Sequence, residues 1–198
     1  MLTKKEVYRQ IFHVLLGILI VILYYFDFIT PLIVFLILIF GGILSLLSKR
    51  LKLPIVNFFL NKLERKEDIE KFPGKGLIFF FMGALLSMKL FPKDIALASI
   101  IILALGDSTS HIFGAKYGHT RNIFNLKSPK LLEGTIAGMI VAFLGACFFV
   151  PFYEALIASI GAMAFEAIDV YFNEKQLNDN LIVPLVAGTI ILILRAIL

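Results

Sequence analysis

Apolar residues gather along this chain in seven long blocks, and the charged residues collect between them. The blocks fall at roughly 11–26, 30–48, 75–91, 94–113, 133–150, 153–170 and 180–197. A helix needs about 20 predominantly apolar residues to cross a bilayer, so each block is predicted as a membrane-spanning helix. A short turn, Lys89-Leu90-Phe91-Pro92-Lys93, separates the third from the fourth. Pro151 separates the fifth from the sixth, because proline does not continue a helix comfortably. The first block is short and the sixth carries Glu154, Glu166 and Asp169, so six spans is the competing count. The predicted fold class is an all-α integral membrane protein, with residues 1–198 forming a single polytopic domain.

The basic residues orient the chain. With a cytoplasmic N-terminus, 16 of the 19 Lys and Arg residues fall on the cytoplasmic side, and only Lys89, Lys93 and Arg195 fall outside. The positive-inside rule selects this orientation over its reverse. The basic start followed by an apolar run is like a signal peptide, but no small-residue cleavage site follows it. It is read as a retained first helix. No internal repeat of the kind found in transporters is evident.

Composition agrees with this picture. Of 198 residues, 60% are hydrophobic and 17% charged, against roughly 45–50% apolar in soluble domains. Mean hydropathy is +0.94. This excludes a soluble enzyme, a disordered chain and a collagen-like one. A lone cysteine, Cys147, excludes a disulfide framework and a cysteine-based zinc site. The net charge of +5 is sorted by membrane side, so it points to the bilayer and not to nucleic acid.

Two loops are long, and both fall on the cytoplasmic side. The first, about 49–76, has a mixed-charge stretch over 61–70 that predicts a short amphipathic helix on the membrane surface. It ends in Pro73-Gly74-Lys75-Gly76, where glycine permits close backbone approach and Lys75 can meet a phosphate. This is not a Walker A motif. The second loop, about 114–132, holds Lys116, Gly118, His119, Arg121, Lys127, Ser128 and Lys130 with no acidic residue. Such a loop suits either anionic headgroups or a polyphosphate.

Ionisable residues inside spans are costly and default to functional candidates. Here His13, Asp107, His111, Glu133, Glu166, Asp169, Asp179 and Asn180 all lie near the cytoplasmic ends of their helices, and Glu154 is the exception. Asp107 and His111 share a helix face at i and i+4, as Glu166 and Asp169 do at i and i+3. Carboxylates facing a basic, glycine-containing loop suit Mg²⁺-nucleotide chemistry, since hard cations take oxygen ligands and Lys or Arg balances phosphate. The same carboxylates would also serve simple helix-end electrostatics. The three histidines lack tight zinc-ligand spacing. Of the two glycine pairs, Gly134/Gly138 predicts close helix packing and Gly114/Gly118 a loop turn.

In order along the chain, five segments then form a recognisable set. They are Glu6-Val7-Tyr8-Arg9-Gln10-Ile11-Phe12-His13; Glu64-Arg65-Lys66 with Gly74-Lys75-Gly76; Gly106-Asp107-Ser108 through Gly114-Ala115-Lys116-Tyr117-Gly118; Lys130-Leu131-Leu132-Glu133-Gly134-Thr135; and Glu166 followed by Asn178-Asp179-Asn180-Leu181-Ile182-Val183-Pro184. Together they resemble the CTP-dependent lipid-alcohol kinases (the dolichol, phytol and fungal diacylglycerol kinases), which are distantly similar to CDP-diacylglycerol synthases. Gln10, Leu131 and Asn178 stand where the family pattern carries a basic residue, a hydroxyl and an Asp. The resemblance implies transfer of the CTP γ-phosphate to a lipid hydroxyl at the cytoplasmic face. It implies Mg²⁺ held by Asp107 and Asp179, with Glu133 and Glu166 as further ligands or a base. Lys75, Lys116, Gly118, Lys127, Ser128, Lys130, Gly134 and Asn180 would bind nucleotide phosphates, and His13 would orient the alcohol. Partners are then CTP, the lipid alcohol and the bilayer. The membrane would be the plasma membrane in a prokaryote or the endoplasmic reticulum in a eukaryote. A cytidylyltransferase that makes a CDP-lipid would use the same reagents. A small transporter would instead need polar groups across the membrane midplane.

Overall fold

A computed structural model describes residues 3–51, 58, 60, 62, 64, 66–121, 130–168, 171–172 and 175–198. Helices account for most of it: α1 (Lys4–Tyr25), α2 (Pro31–Arg50), a short α3 (Lys66–Lys71), α4 (Lys75–Leu90), α5 (Lys93–Tyr117), α6 (Leu132–Ala146), α7 (Phe152–Ile168) and α8 (Asp179–Ile197). A two-residue antiparallel ladder, β1 (Tyr171–Phe172) with β2 (Lys175–Gln176), lies between α7 and α8. Each of the seven apolar blocks is therefore a helix, and part of the stretch predicted as amphipathic is helical as α3. Among the described residues, four segments are long and apolar enough to cross a membrane: Lys4–Tyr25, Pro31–Ser48, Lys93–Tyr117 and Asp179–Ile197. The other three are shorter, with α4 at 16 residues, α6 at 15 and α7 at 17.

Local chemistry sets the helix ends. The Thr3 hydroxyl accepts from the Glu6 amide at 3.2 Å to cap α1. Thr30 caps α2, with Pro31 opening its first turn, where proline's missing N–H costs nothing. Asn178 caps α8 by accepting from the Asn180 amide at 3.1 Å. This gives the residue at that position of the family pattern a structural task.

α5 is the central helix. It packs against α1, α4, α6, α7 and α8, while α2 lies outside them against α4. Ile95, Ile100, Ile102 and Leu103 of α5 are fully buried, as expected of a helix apolar on all sides. The α-helical ladder is interrupted over Ile102–Asp107 by a π-helical stretch that ends at Asp107. Such insertions recur at functional sites because they re-aim a side chain without ending the helix.

Small residues bring the neighbours close. A Cβ on Gly106 would lie 2.6 Å from Met163 Sδ, and one on Gly138 would lie 2.8 Å from the Gly106 carbonyl oxygen. One turn further along, a Cβ on Gly134 would lie 2.8 Å from Gly114 Cα. The glycine contacts thus run between α5 and α6. Gly118 follows the end of α5 as predicted for a turn, but Gly114 does not: it is inside the helix, because α5 continues to Tyr117. On the α4 side, a Cβ on Gly83 would lie 2.1 Å from the Asn180 carbonyl oxygen. That carbonyl lacks its usual helical partner because Pro184 has no N–H.

Candidate functional site

Among the described residues, six ionisable side chains converge at one end of the bundle. Asp107 projects from the π-helical turn of α5 and is 6% exposed. His111, one turn later on the same face, places Nε2 3.4 Å from Asp107 Oδ1. His13 of α1 places its Nε2 4.0 Å from Asp107 Oδ2. The approach of α1 depends on Gly17, where a Cβ would lie 2.2 Å from Ala104 Cβ. The helices run antiparallel, so the Gly17–Ala104 contact and the His13–Asp107 contact lie about one turn apart. The His13 ring also packs edge-on against Phe80, at 4.4 Å between centroids.

Glu166, from the last turn of α7, is 1% exposed. Lys130 precedes α6 and joins Glu166 to α8. Its Nζ lies 2.9 Å from Glu166 Oε1 and 2.9 Å from Asp179 Oδ2, and it donates to the Glu166 backbone carbonyl at 2.6 Å. Burial alone would drive the Lys130 ammonium toward its neutral form. The Glu166 and Asp179 carboxylates outweigh that and hold its pKa well above the ordinary lysine value.

The donors suit a cation. Asp107, His111 and Glu166 each offer a ligand atom within 4.8 Å of the others. Among the described residues, Asp107 Oδ1, His13 Nε2 and both Glu166 carboxylate oxygens are buried without a hydrogen bond of good geometry. A buried carboxylate oxygen left in that state is costly unless something else meets it. Carboxylate oxygens are the donors a hard divalent cation takes.

The remaining predicted residues are placed as follows. Glu133 Oε1 accepts from the Thr120 amide at 2.9 Å and the Thr120 hydroxyl at 2.7 Å, while its Oε2 is enclosed without a hydrogen bond among the described residues. Asn180 Nδ2 donates to the Gly76 carbonyl at 3.1 Å, tying α8 to the start of α4. Lys75 is half-exposed, with Nζ 3.6 Å from Asp68 Oδ1. The Gly74 and Gly76 amides donate to the two Glu64 carboxylate oxygens at 2.7 and 3.0 Å. Burial pushes the Glu64 carboxyl above its usual range despite those two amides. Lys116 is exposed and stacks on Tyr117. Gly118 packs against Leu131, and Gly134 against Ser110 and Gly114. Gln10 is buried, and its amide reaches Glu6 Oε1 at 3.2 Å. Lys127, Ser128 and Asp169 lie outside the described residues.

His111 is a candidate by its place in the span, but the roles implied by the family resemblance do not include it. Its i, i+4 spacing from Asp107 was the available signal.

A second polar group sits at the other end of α5, α7 and α8. Arg195 Nε donates to both Glu154 oxygens at 2.9 and 3.0 Å, and its Nη2 lies 2.8 Å from Glu154 Oε2 and 2.7 Å from Asp94 Oδ2. The outlying Glu154 is thus a paired structural carboxylate. Asp94, which shares Arg195 with it, is 13 residues of α5, about 20 Å along the helix, from Asp107.

Fold and site together define a helical membrane protein with a buried, cation-capable carboxylate–imidazole cluster at one end of its bundle. No family model matches the chain, and no solved structure matches it. An uncharacterised protein of Methanocaldococcus jannaschii is 34% identical over 191 residues, covering 94% of this chain and 93% of that protein. The CTP-dependent diacylglycerol kinase 1 of Saccharomyces cerevisiae is 32% identical over 167 residues, covering 77% of this chain and 54% of the kinase. That of Eremothecium gossypii is 30% identical over 166 residues, covering 77% and 50%. The chain spans about half the length of these two kinases. It belongs to the CTP-dependent lipid kinase family.

Proposed function

We propose that the protein is a CTP-dependent kinase that phosphorylates the hydroxyl of a membrane lipid alcohol. The acceptor is a polyprenol, dolichol or related isoprenoid alcohol, or diacylglycerol, the lipid in the names of its fungal relatives. One observation carries this reading: Asp107, Glu166, Asp179 and Lys130, drawn from three helices and a loop, meet at the bundle end that also holds both long loops. All seven long helices span the membrane in this proposal. The excess of Lys and Arg on the loops supports a cytoplasmic position for that end, on the side where CTP is found. The lipid hydroxyl waits at the same interface.

In the transfer, the bond between the β-phosphate bridging oxygen and the γ-phosphorus breaks. A bond from the alcohol oxygen to that phosphorus forms, and CDP leaves. The alcohol proton passes to a carboxylate, either Glu166 or Glu133. His13 Nε2, buried and free of a hydrogen bond among the described residues, holds the alcohol oxygen beside Asp107. Lys116, Lys127 and Lys130 balance phosphate charge, with Lys75 and Asn180 at the α4 side. Asp107 and Asp179 would hold Mg²⁺, joined by whichever of Glu166 and Glu133 does not take the proton, and the ion would neutralise the phosphate oxygens when bound. Phosphoryl transfer is mostly positioning plus such neutralisation.

The test uses purified protein in lipid with CTP labelled at the α or the γ phosphate, Mg²⁺, and a panel of lipid alcohols and lipid phosphates. Label moving from the γ position into lipid, with CDP released, is the expected result and names the acceptor. Label moving from the α position, with pyrophosphate released, makes the protein a cytidylyltransferase and overturns the proposal.

A further inference from the structure

His111 adds a nitrogen to a site otherwise made of oxygen. Its Nε2 lies 3.4 Å from Asp107 Oδ1, and one ligand atom from each of Asp107, His111 and Glu166 lies within 4.8 Å of the other two. Two ligands each about 2.1 Å from one cation and at right angles are about 3.0 Å apart, and opposite ligands are about 4.2 Å apart. The 3.4 Å separation of His111 and Asp107 falls between these two spacings, and the 4.8 Å bound on the group exceeds the wider one by about 0.6 Å, so the three donors draw together by that order when an ion binds. Asp107 and Glu166 are each more than nine-tenths buried, and Asp107 Oδ1 and Glu166 Oε2 have no hydrogen bond among the described residues. Glu166 Oε1 lies 2.9 Å from Lys130 Nζ, and Oε2 is the oxygen that faces neither a hydrogen-bond donor nor solvent among the described residues. His111 is itself half-enclosed and held on the Asp107 face by helical spacing.

We propose that His111 is a direct ligand of the divalent cation, with Asp107 and Glu166, so that the site is a mixed nitrogen–oxygen one. This deepens the kinase reading and rests on it for what the cation does in turnover. An imidazole donor favours first-row transition ions over Mg²⁺ and Ca²⁺, which favour oxygen; Mn²⁺ is the weakest binder of that series and shares the preference for carboxylate, which suits it to a site of two carboxylates and one imidazole. The site binds Mn²⁺ more tightly than Mg²⁺, and the His111 nitrogen widens the difference.

The experiment loads the intact protein in lipid nanodiscs with Mn²⁺, without nucleotide, and records pulsed electron paramagnetic resonance. The expected spectrum carries nitrogen coupling on the bound Mn²⁺, and uniform [¹⁵N]histidine labelling converts the ¹⁴N pattern to ¹⁵N without any mutation. His111→Gln removes the coupling and weakens Mn²⁺ binding by about tenfold while changing Mg²⁺ competition much less. His13→Gln keeps the coupling. Failure to bind Mn²⁺, bound Mn²⁺ without nitrogen coupling in the unmutated protein, or coupling lost in His13→Gln and kept in His111→Gln overturns the proposal. Coupling without any CTP turnover would sink the kinase reading and leave the ligand assignment standing. Turnover with Mn²⁺ bound only through oxygen would do the reverse.

Discussion

Lys130 Nζ lies 2.9 Å from Asp179 Oδ2, joining two residues 49 positions apart and bridging the buried Glu166 carboxylate to the start of α8. Removing the ammonium leaves Glu166 and Asp179 facing each other without their shared cation. Lys130→Met is expected to lower stability by about 3 kcal/mol, the scale for breaking a buried ion pair from one side, and to abolish CTP turnover. Lys130→Arg keeps the charge and recovers much of the stability.

The sign of its pH dependence follows from the raised pKa. The ammonium's contribution is complete below the unfolded lysine value, about 10.4, and is lost only as pH rises through the still higher folded value. Thermal unfolding of the wild type and of Lys130→Arg, which stays charged throughout, should keep a constant difference from pH 7 to 9.5. A wild type that loses ground to Lys130→Arg within that window contradicts the pairing.

Asp107 is reached from three sides, by His13, His111 and the Glu166 end of α7. Asp107→Asn preserves volume and removes the negative charge. Turnover is expected to fall by about a hundredfold or more, the scale for losing one preorganised electrostatic group. Membrane insertion and the helical circular dichroism spectrum should remain. Near-normal turnover in the folded variant would remove Asp107 from the cation site.

The helices were legible because seven apolar blocks separated by charge are a one-dimensional signal. So was the gathering of Asp107, Glu166 and Asp179 at one end of the bundle, since each lies near the end of its own block. Which of these side chains touch was not legible, because helical periodicity relates residues within a helix and not between helices. Lys130 read as a phosphate ligand, yet its partners Glu166 and Asp179 lie 36 and 49 residues away in sequence. Arg195 and Glu154 read as isolated outer-end charges and are one ion pair 41 residues apart. Gly114 reads as a turn because it falls just past the apolar block ending near 113, but the helix runs on to Tyr117 and Gly114 packs on Gly134 inside it. The π-helical turn at Asp107 has no composition signature at all.

Gly17 sets how near α1 comes to α5. Gly17→Ala places a methyl 2.2 Å from Ala104 Cβ, so α1 must shift. Overpacking of this kind costs about 1–3 kcal/mol, and the shift carries His13 away from Asp107. CTP turnover is expected to drop several-fold. Ala104→Gly removes the opposing methyl, so the double variant should regain most of the activity. A double variant as inactive as Gly17→Ala alone would show that the methyl clash is not the cause.

The ion pair at the far end is a control for all of these. Glu154 is 2% exposed and receives three nitrogen contacts from Arg195, which also reaches Asp94. Arg195→Met leaves a buried carboxylate without its partner and should lower stability by about 2 kcal/mol, as for a lost hydrogen bond to a charged group. Because α5 separates this pair from Asp107 by about 20 Å, KM for CTP should be unchanged at a temperature where the variant is fully folded. Thermal unfolding in detergent and initial rates over a range of CTP concentrations measure the two effects separately. A raised KM in the folded variant would mean that the two ends of the bundle are coupled. Loss of stability in Asp107→Asn equal to that in Arg195→Met would mean that Asp107, too, is chiefly structural.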